Sequence, residues 1–248
     1  MAEALKVRNL CKSYGPKKAV HSLNLSVERG EIFGLLGANG AGKSTAIECM
    51  LGTKKPDCGE VSILGMNPYT QRKELFEKVG VQFQEPRYQD KITVSEICQV
   101  TCSLYRLPLS YDELLINFGL HDKQKQLVAE LSGGERQRLF VVLALIPNPD
   151  LVFLDELTTG LDAKARRDVW KHLERLKSKG LTVVLTSHYM DEVEVLCDRI
   201  SILNCGETVF TGTVSQAIEN SPYDTLEDAY LWYAKEEEEE HESFSYNA

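Results

Sequence analysis

Gly37-Ala38-Asn39-Gly40-Ala41-Gly42-Lys43-Ser44-Thr45 is the stretch that decides how this chain is read. It follows the apolar run Ile32-Phe33-Gly34-Leu35-Leu36, which predicts a buried strand. It precedes Ala46-Ile47-Glu48-Cys49-Met50-Leu51, which predicts the opening of a helix. The spacing is G-x-x-x-x-G-K-[ST], the phosphate-binding loop. Glycines permit backbone angles that let a chain wrap closely around an anion. Successive N–H groups then converge on one concavity at a helix N-terminus, where the helix dipole adds positive potential. Lys43 supplies a full charge for β- and γ-phosphates, and the Ser44 hydroxyl is a ligand for Mg²⁺.

Upstream of this loop, Leu5 to Leu10 and Ala19 to Val27 alternate apolar and polar residues. That pattern predicts half-buried antiparallel strands, with Cys11-Lys12-Ser13-Tyr14-Gly15 as the turn between them. Downstream, Thr53 to Gly59 reads as a turn, Val61 to Gly65 as a strand and Arg72 to Lys78 as a helix. Val79 to Phe83 reads as another strand, ending at Gln84-Glu85-Pro86, where the proline disfavours helix in the residue before it. Thr93 to Leu107, Tyr111 to Phe118 and Glu135 to Leu145 carry helical periodicity with no strand between them. They predict a helical subdomain inserted in an α/β core and closed by Pro147-Asn148-Pro149.

Leu151-Val152-Phe153-Leu154 is apolar throughout, as in a parallel strand covered on both faces, and it ends in Asp155-Glu156. Two adjacent carboxylates there would be costly without a role. The C-terminal end of a strand is also where open α/β sheets bind ligands. Ala163 to Lys177 predicts a helix, Leu181 to Thr186 a second buried strand running into Ser187-His188, and Met190 to Cys197 a short helix. Ile200 to Leu203 and Glu207 to Phe210 flank Asn204-Cys205-Gly206, a hairpin signal. Asp224 to Tyr233 reads as a last amphipathic helix, and Glu236 to Glu240 as a solvated tail.

The length of 248 residues allows one large domain. A net charge of −9 argues against a general nucleic-acid surface, so no nucleic-acid partner is expected. No apolar run approaches the ~18 residues needed to span a bilayer, and the N-terminus lacks a signal-peptide pattern. A membrane function therefore calls for a spanning part in another chain. The cysteines are scattered without a C-x-x-C pair, and Cys98 and Cys102 read as small buried residues. This usage points to the reducing cytosol.

Hydrolysis of a nucleoside triphosphate needs a phosphate cradle, an Mg²⁺ ligand, a group that orients water, and positive charge on the γ-phosphate. Asp155 is the natural Mg²⁺ partner of Ser44, and Glu156 is placed to orient or deprotonate water. His188, at the end of a neighbouring strand, is within reach of the same γ-phosphate. Leu131-Ser132-Gly133-Gly134-Glu135-Arg136-Gln137-Arg138 forms a second anion-binding helix terminus. Two such ends, in different subdomains of one chain, are satisfied economically by a head-to-tail pair with nucleotide between the copies.

On these residues the chain resembles the ATP-binding-cassette (ABC) ATPases, from about Leu5 to Thr213. Tyr14 resembles the aromatic that stacks on adenine. Gly37, Asn39, Gly40, Ala41, Gly42, Lys43, Ser44 and Thr45 match Walker A. Gln84 resembles the Q-loop glutamine, which in the family touches Mg²⁺ and senses the transmembrane partner. Gln82 lies nearby, but Gln84 follows the apolar strand and precedes Glu85-Pro86. Leu151 to Asp155 match Walker B, with Glu156 as the catalytic carboxylate. Ser132, Gly133, Gly134 and Glu135 belong to the signature, Gly160-Leu161-Asp162 resembles the D-loop, and His188 resembles the switch histidine. One departure is Leu157, which stands where the family carries a proline after the glutamate.

The resemblance implies an α/β P-loop NTPase fold: a mixed parallel sheet core, an N-terminal antiparallel β-subdomain and an inserted helical subdomain at about 85–147. It implies one ATPase domain over 1–234 and an acidic tail over 235–248. The implied catalytic set is Glu156, His188, Lys43 and Gln84, with Ser44, Gln84 and Asp155 on the metal. The implied function is the ATP- and Mg²⁺-dependent ATPase subunit of an ABC membrane transporter. It would work as a homodimer or heterodimer, drive a transmembrane permease subunit in a separate chain, and lie on the cytoplasmic face of the membrane. Leu226-Glu227-Asp228-Ala229-Tyr230 resembles the C-terminal helix of bacterial drug-export and ABC-2-type cassettes, which implies export. The alternative is a non-transport ABC ATPase acting with soluble partners. The segment from Gln84 to Leu131 is too short for the coiled coils of DNA-repair members, and no Asn-Lys-x-Asp motif of GTPases occurs.

Overall fold

The computed structural model describes residues 2–83 and 88–234. In chain order the elements are β1 (Glu3–Tyr14), β2 (Lys17–Glu28), β3 (Ile32–Leu36), α1 (Lys43–Met50), β4 (Cys58–Ile63), α2 (Arg72–Leu75) and β5 (Val79–Gln82). The helices α3 (Val94–Ser103), α4 (Tyr111–Asn117) and α5 (Gly133–Leu145) follow. Then come β6 (Leu151–Leu154), α6 (Ala163–Lys177), β7 (Thr182–Ser187), α7 (Met190–Leu196), β8 (Arg199–Asn204), β9 (Glu207–Gly212) and α8 (Val214–Glu219). Residues 226–234 are helical.

Among the described residues the strands form two sheets. One is antiparallel, in the order β2-β1-β4; the other runs β5-β6-β7-β3-β8-β9. In the second sheet every pairing is parallel except that of β8 with β9. The apolar strands are covered on both faces, and their alternation sorts the side chains. Ile32, Val152, Leu154, Val183 and Leu185 face a core built with α3 to α6. Phe33, Leu35, Leu151, Phe153 and Val184 face the opposite core, built with α1 and the antiparallel sheet. A period-2 strand buried on both sides has this sorting as its consequence.

The structure differs from the sequence reading in particular places. Cys11 to Tyr14 is not a turn; it continues β1, and the reversal falls at Gly15-Pro16. A tertiary partner holds it extended: Asp57 accepts from the Ser13 N–H at 2.7 Å and from Lys12 Nζ at 3.0 Å. Helix α8 was not anticipated; Thr213 and Gln216 start it with a reciprocal cap. The last helix begins at residue 226 because the Thr225 hydroxyl accepts from the Asp228 N–H at 3.2 Å. Cys11 and Cys58, cross-strand neighbours of β1 and β4, are joined as a disulfide across 47 residues of sequence, a pairing that no local spacing reveals and that runs against reading the cysteines as those of a reducing compartment. Cys98 is fully buried, and burial pushes its thiol up to about 12.

Candidate functional site

The parallel register brings several loops to one edge. Leu36 lies opposite Ser187, Leu154 opposite Leu185, and Gln82 opposite Leu154. The chain therefore leaves β3, β6 and β7 side by side, into Gly37, Asp155 and His188 respectively. Gln84 follows β5 but lies outside the described residues, as does the acidic tail.

The loop after β3 is drawn tightly onto its surroundings. Gly42 caps α1 with φ +102°, and a Cβ there would fall 2.1 Å from the Ala19 carbonyl oxygen. Gly37 has φ +154°, and a Cβ there would fall 2.6 Å from the Leu203 carbonyl oxygen. Both obstacles are backbone, so no side chain can move aside to admit a larger residue. The Gly206 N–H donates to the Ala41 carbonyl at 3.0 Å and braces the loop from the β8–β9 hairpin.

A cleft of about 390 Å³ opens on this loop. Tyr14, Asn39, Gly40, Gly42, Lys43, Ser44, Thr45 and Glu156 border it. Ala41 is buried, and Gly37 takes part through its carbonyl. Lys43 is 7% exposed, and its Nζ donates to the carbonyls of Gly37 at 2.7 Å and Ala38 at 3.0 Å. Burial lowers its pKa, and the charges of Glu156 and Asp155 pull it back up. A buried ammonium held by neutral carbonyls is suited to exchange them for phosphate oxygens.

Asp155 is also buried. Burial raises its pKa and Glu156 raises it further, while the hydroxyls of Thr186 and Ser44 and the charge of Lys43 lower it. Thr186 joins the two carboxylate residues. Its hydroxyl donates to Asp155 Oδ1 at 2.5 Å and accepts from the Glu156 N–H at 2.9 Å. Sequence reasoning passed over Thr186; the available signal was a hydroxyl at the inner end of an apolar strand just before Ser187-His188. The Ser44 hydroxyl against the Asp155 carboxylate is a pair of hard oxygen donors beside a phosphate cradle, which fits Mg²⁺. Glu156 sits at the cleft with φ +53°, and Thr159 Oγ1 donates to its Oε2 at 3.3 Å.

Other predicted residues are not among those that border this cleft. The exposed ring of His188 packs against Tyr189, with centroids 4.2 Å apart. Ser132, Gly133, Gly134 and Glu135 open α5 and do not border the cleft. The Ser132 hydroxyl accepts from the Glu135 N–H at 3.2 Å, and Glu135 Oε2 accepts from the Ser132 N–H at 2.9 Å. That reciprocal cap, with Lys123 at 3.2 Å, holds the Glu135 carboxyl below its ordinary pKa.

Residues 20–159 match the family described as ABC transporter. The chain belongs to that family. Its cassette is 38% identical over 221 residues to the Nod factor export ATP-binding protein I of Rhizobium johnstonii, covering 87% of this chain and 71% of that protein. It is 37% identical over 218 residues to the protein of the same name from Burkholderia orbicola, covering 86% and 72%. A solved ATP-binding subunit of an ABC transporter superposes with a TM-score of 0.85 at 26% identity, over 93% of this chain and 99% of that one. A dimeric ATP-binding cassette in a post-hydrolysis state, bound to ADP and Pi, gives 0.76 at 27% identity over 84% and 98%. The chain is thus the ATP-binding, ATP-hydrolysing subunit of an ABC transporter, with the cassette fold that its motifs imply. ABC subunits of this kind dimerise and work with transmembrane components. Among the described residues no helix is long and apolar enough to cross a membrane.

Proposed function

We propose that this subunit drives an exporter, with two ATP molecules held head-to-tail between two ATP-binding subunits and Mg²⁺ at each site. The observation that carries the site assignment is the junction of Lys43, Ser44, Asp155 and Glu156, with Thr186 tying the carboxylate residues together. Adenine stacks on Tyr14, whose ring is 45% exposed and has the Lys12 and Lys54 ammonium groups 5.6 and 5.5 Å from its centre. The triphosphate takes the cradle, and Lys43 turns from the carbonyls of Gly37 and Ala38 to phosphate oxygens. Ser44, Asp155 and Gln84 would hold Mg²⁺, which when bound neutralises charge on the β- and γ-phosphates. Glu156 orients the attacking water. His188 contributes at the γ-phosphate from the neighbouring strand end.

Ser132, Gly133, Gly134 and Glu135 serve the second subunit. Ser132 and Gly133 are exposed on the single chain, at an α5 N-terminus whose dipole favours an anion. The second subunit is another copy of this chain or a related cassette. The membrane partner is a separate permease chain. It docks beside α3, where Val100, Leu104 and Leu107 are exposed apolar residues next to a cleft of about 590 Å³ bordered by Lys73, Glu77 and Arg106. The relatives named for export favour transport over an ATPase with soluble partners, and outward transport over uptake. The chain then sits on the cytoplasmic face of the membrane as one ATPase domain over 1–234, with its helical subdomain at about 85–147.

Glu156→Gln tests this reading. The variant is expected to bind ATP, lose turnover and accumulate as an ATP-bound dimer in light scattering after gel filtration. Retained turnover would overturn the role given to Glu156, and a monomer with ATP and Mg²⁺ would overturn the sandwich.

A further inference from the structure

We infer that Gln137 is a positioning residue for the catalytic carboxylate, holding the Glu156-Leu157 backbone from the signature helix of the same subunit. Its Nε2 donates to the Glu156 carbonyl at 2.9 Å and to the Leu157 carbonyl at 3.0 Å. Both N–H groups of one amide are thus spent on consecutive carbonyls of the catalytic loop.

The loop needs such a tie. Glu156 has φ +53°, a conformation that L residues keep only where the surroundings impose it. Leu157 occupies the position where a proline ring would otherwise restrict the backbone, and it lacks that restriction. On the N-terminal side, the Glu156 N–H is anchored to Thr186 of β7 at 2.9 Å. On the C-terminal side, the anchor is Gln137. The carboxylate is therefore suspended between the parallel sheet and α5.

The start of α5 also rests on the same loop farther along. A Cβ at Gly134 would lie 3.2 Å from both the Gly160 carbonyl oxygen and a Leu161 methyl carbon. Helix α5, through Leu139, packs in one core with residues of α3 and α4, including Val94, Cys98 and Leu115. A shift of that helical body relative to the sheet thus reaches the Glu156 carbonyl through one side chain. This inference rests on the reading of Glu156 as the water-orienting group, and it gives that group a dependence on helical-subdomain placement within one subunit.

The test uses the full chain with ATP and Mg²⁺. Gln137→Leu keeps the volume and deletes both donors. Turnover should fall by at least about tenfold, with KM for ATP little changed and the protein still folded at the assay temperature. Gln137→Glu sets an acceptor against two carbonyls and should fall further. In a Glu156→Gln background, Gln137→Leu should leave the residual hydrolysis unchanged, because residues acting as a unit are not additive. Wild-type turnover in Gln137→Leu would overturn the inference. So would a fall matched by an equal loss of ATP affinity or folding, or effects that multiply in the double variant. Full turnover in Glu156→Gln alone would instead overturn the role of Glu156, and the inference with it.

Discussion

Thr186→Val separates the two jobs of one buried hydroxyl. The side chains are nearly the same shape, so packing in β7 is kept while the hydroxyl is lost. Thr186 is fully buried. Deleting the 2.5 Å bond to Asp155 removes a hydrogen bond to a charged group, worth about 1.5–3 kcal/mol. Leaving the Glu156 N–H, now 2.9 Å from its acceptor, without a partner costs about 1–3 kcal/mol more. The expected loss of folding stability is about 2.5–6 kcal/mol together. Thr186→Ser keeps both bonds and should lose only what a missing methyl costs, about 1 kcal/mol. Urea unfolding of the nucleotide-free protein, followed by circular dichroism at unchanged m-value, measures the difference. Turnover should fall in Thr186→Val and persist in Thr186→Ser, because the backbone anchor of Glu156 goes only in the first. A loss below about 1 kcal/mol, or equal losses in the two variants, would refute the bridging role.

Lys43→Ala should weaken ATP binding by at least about tenfold and abolish turnover, read by equilibrium titration and phosphate release; unchanged turnover would remove the site. Ser132→Arg should leave nucleotide binding by the single chain intact and block turnover, since the defect acts across the dimer. Its lost N-cap should cost about 1 kcal/mol in unfolding experiments. Glu192 is fully buried in α7 with Trp170 Nε1 donating to it at 3.1 Å; burial raises its pKa, and the Trp170 hydrogen bond offsets part of that rise. A carboxyl whose folded pKa is above its unfolded value of 4.5 binds more protons when folded, so its contribution to stability is lost as pH rises from there through the folded pKa. Glu192→Gln should therefore gain stability relative to wild type as pH is raised from 4.5 toward neutrality, and a difference independent of pH would count against it.

Local pattern carried far in this chain. The loop from Gly37 to Thr45, the apolar strand ending in Asp155-Glu156 and helix α6 are all contiguous in sequence, so each can be read from its own residues. Ser132 and Glu135 are legible twice over, as a glycine-rich helix start and as the S-x-x-E spacing of a helix cap. The bridge from Thr186 to Asp155 and Glu156 spans about 30 residues, and the tie from Gln137 to Glu156 and Leu157 about 20. Neither leaves a periodic trace.

The sequence by itself determined the chemistry at hand: a phosphate cradle, a lysine, a pair of carboxylates and a second helix start able to meet an anion. Residue type and short spacing suffice for that, because glycine freedom, charge and hydrogen-bonding capacity belong to the residues themselves. Tertiary structure alone decided which groups meet. Parallel register set β6 beside β7 and so put Thr186 against Asp155; the packing of α5 on the sheet put Gln137 against Glu156; pairing of β1 with β4 joined Cys11 to Cys58. Those contacts depend on how separate elements are laid side by side, and that arrangement comes from burying their apolar faces together, which no single stretch of the chain encodes.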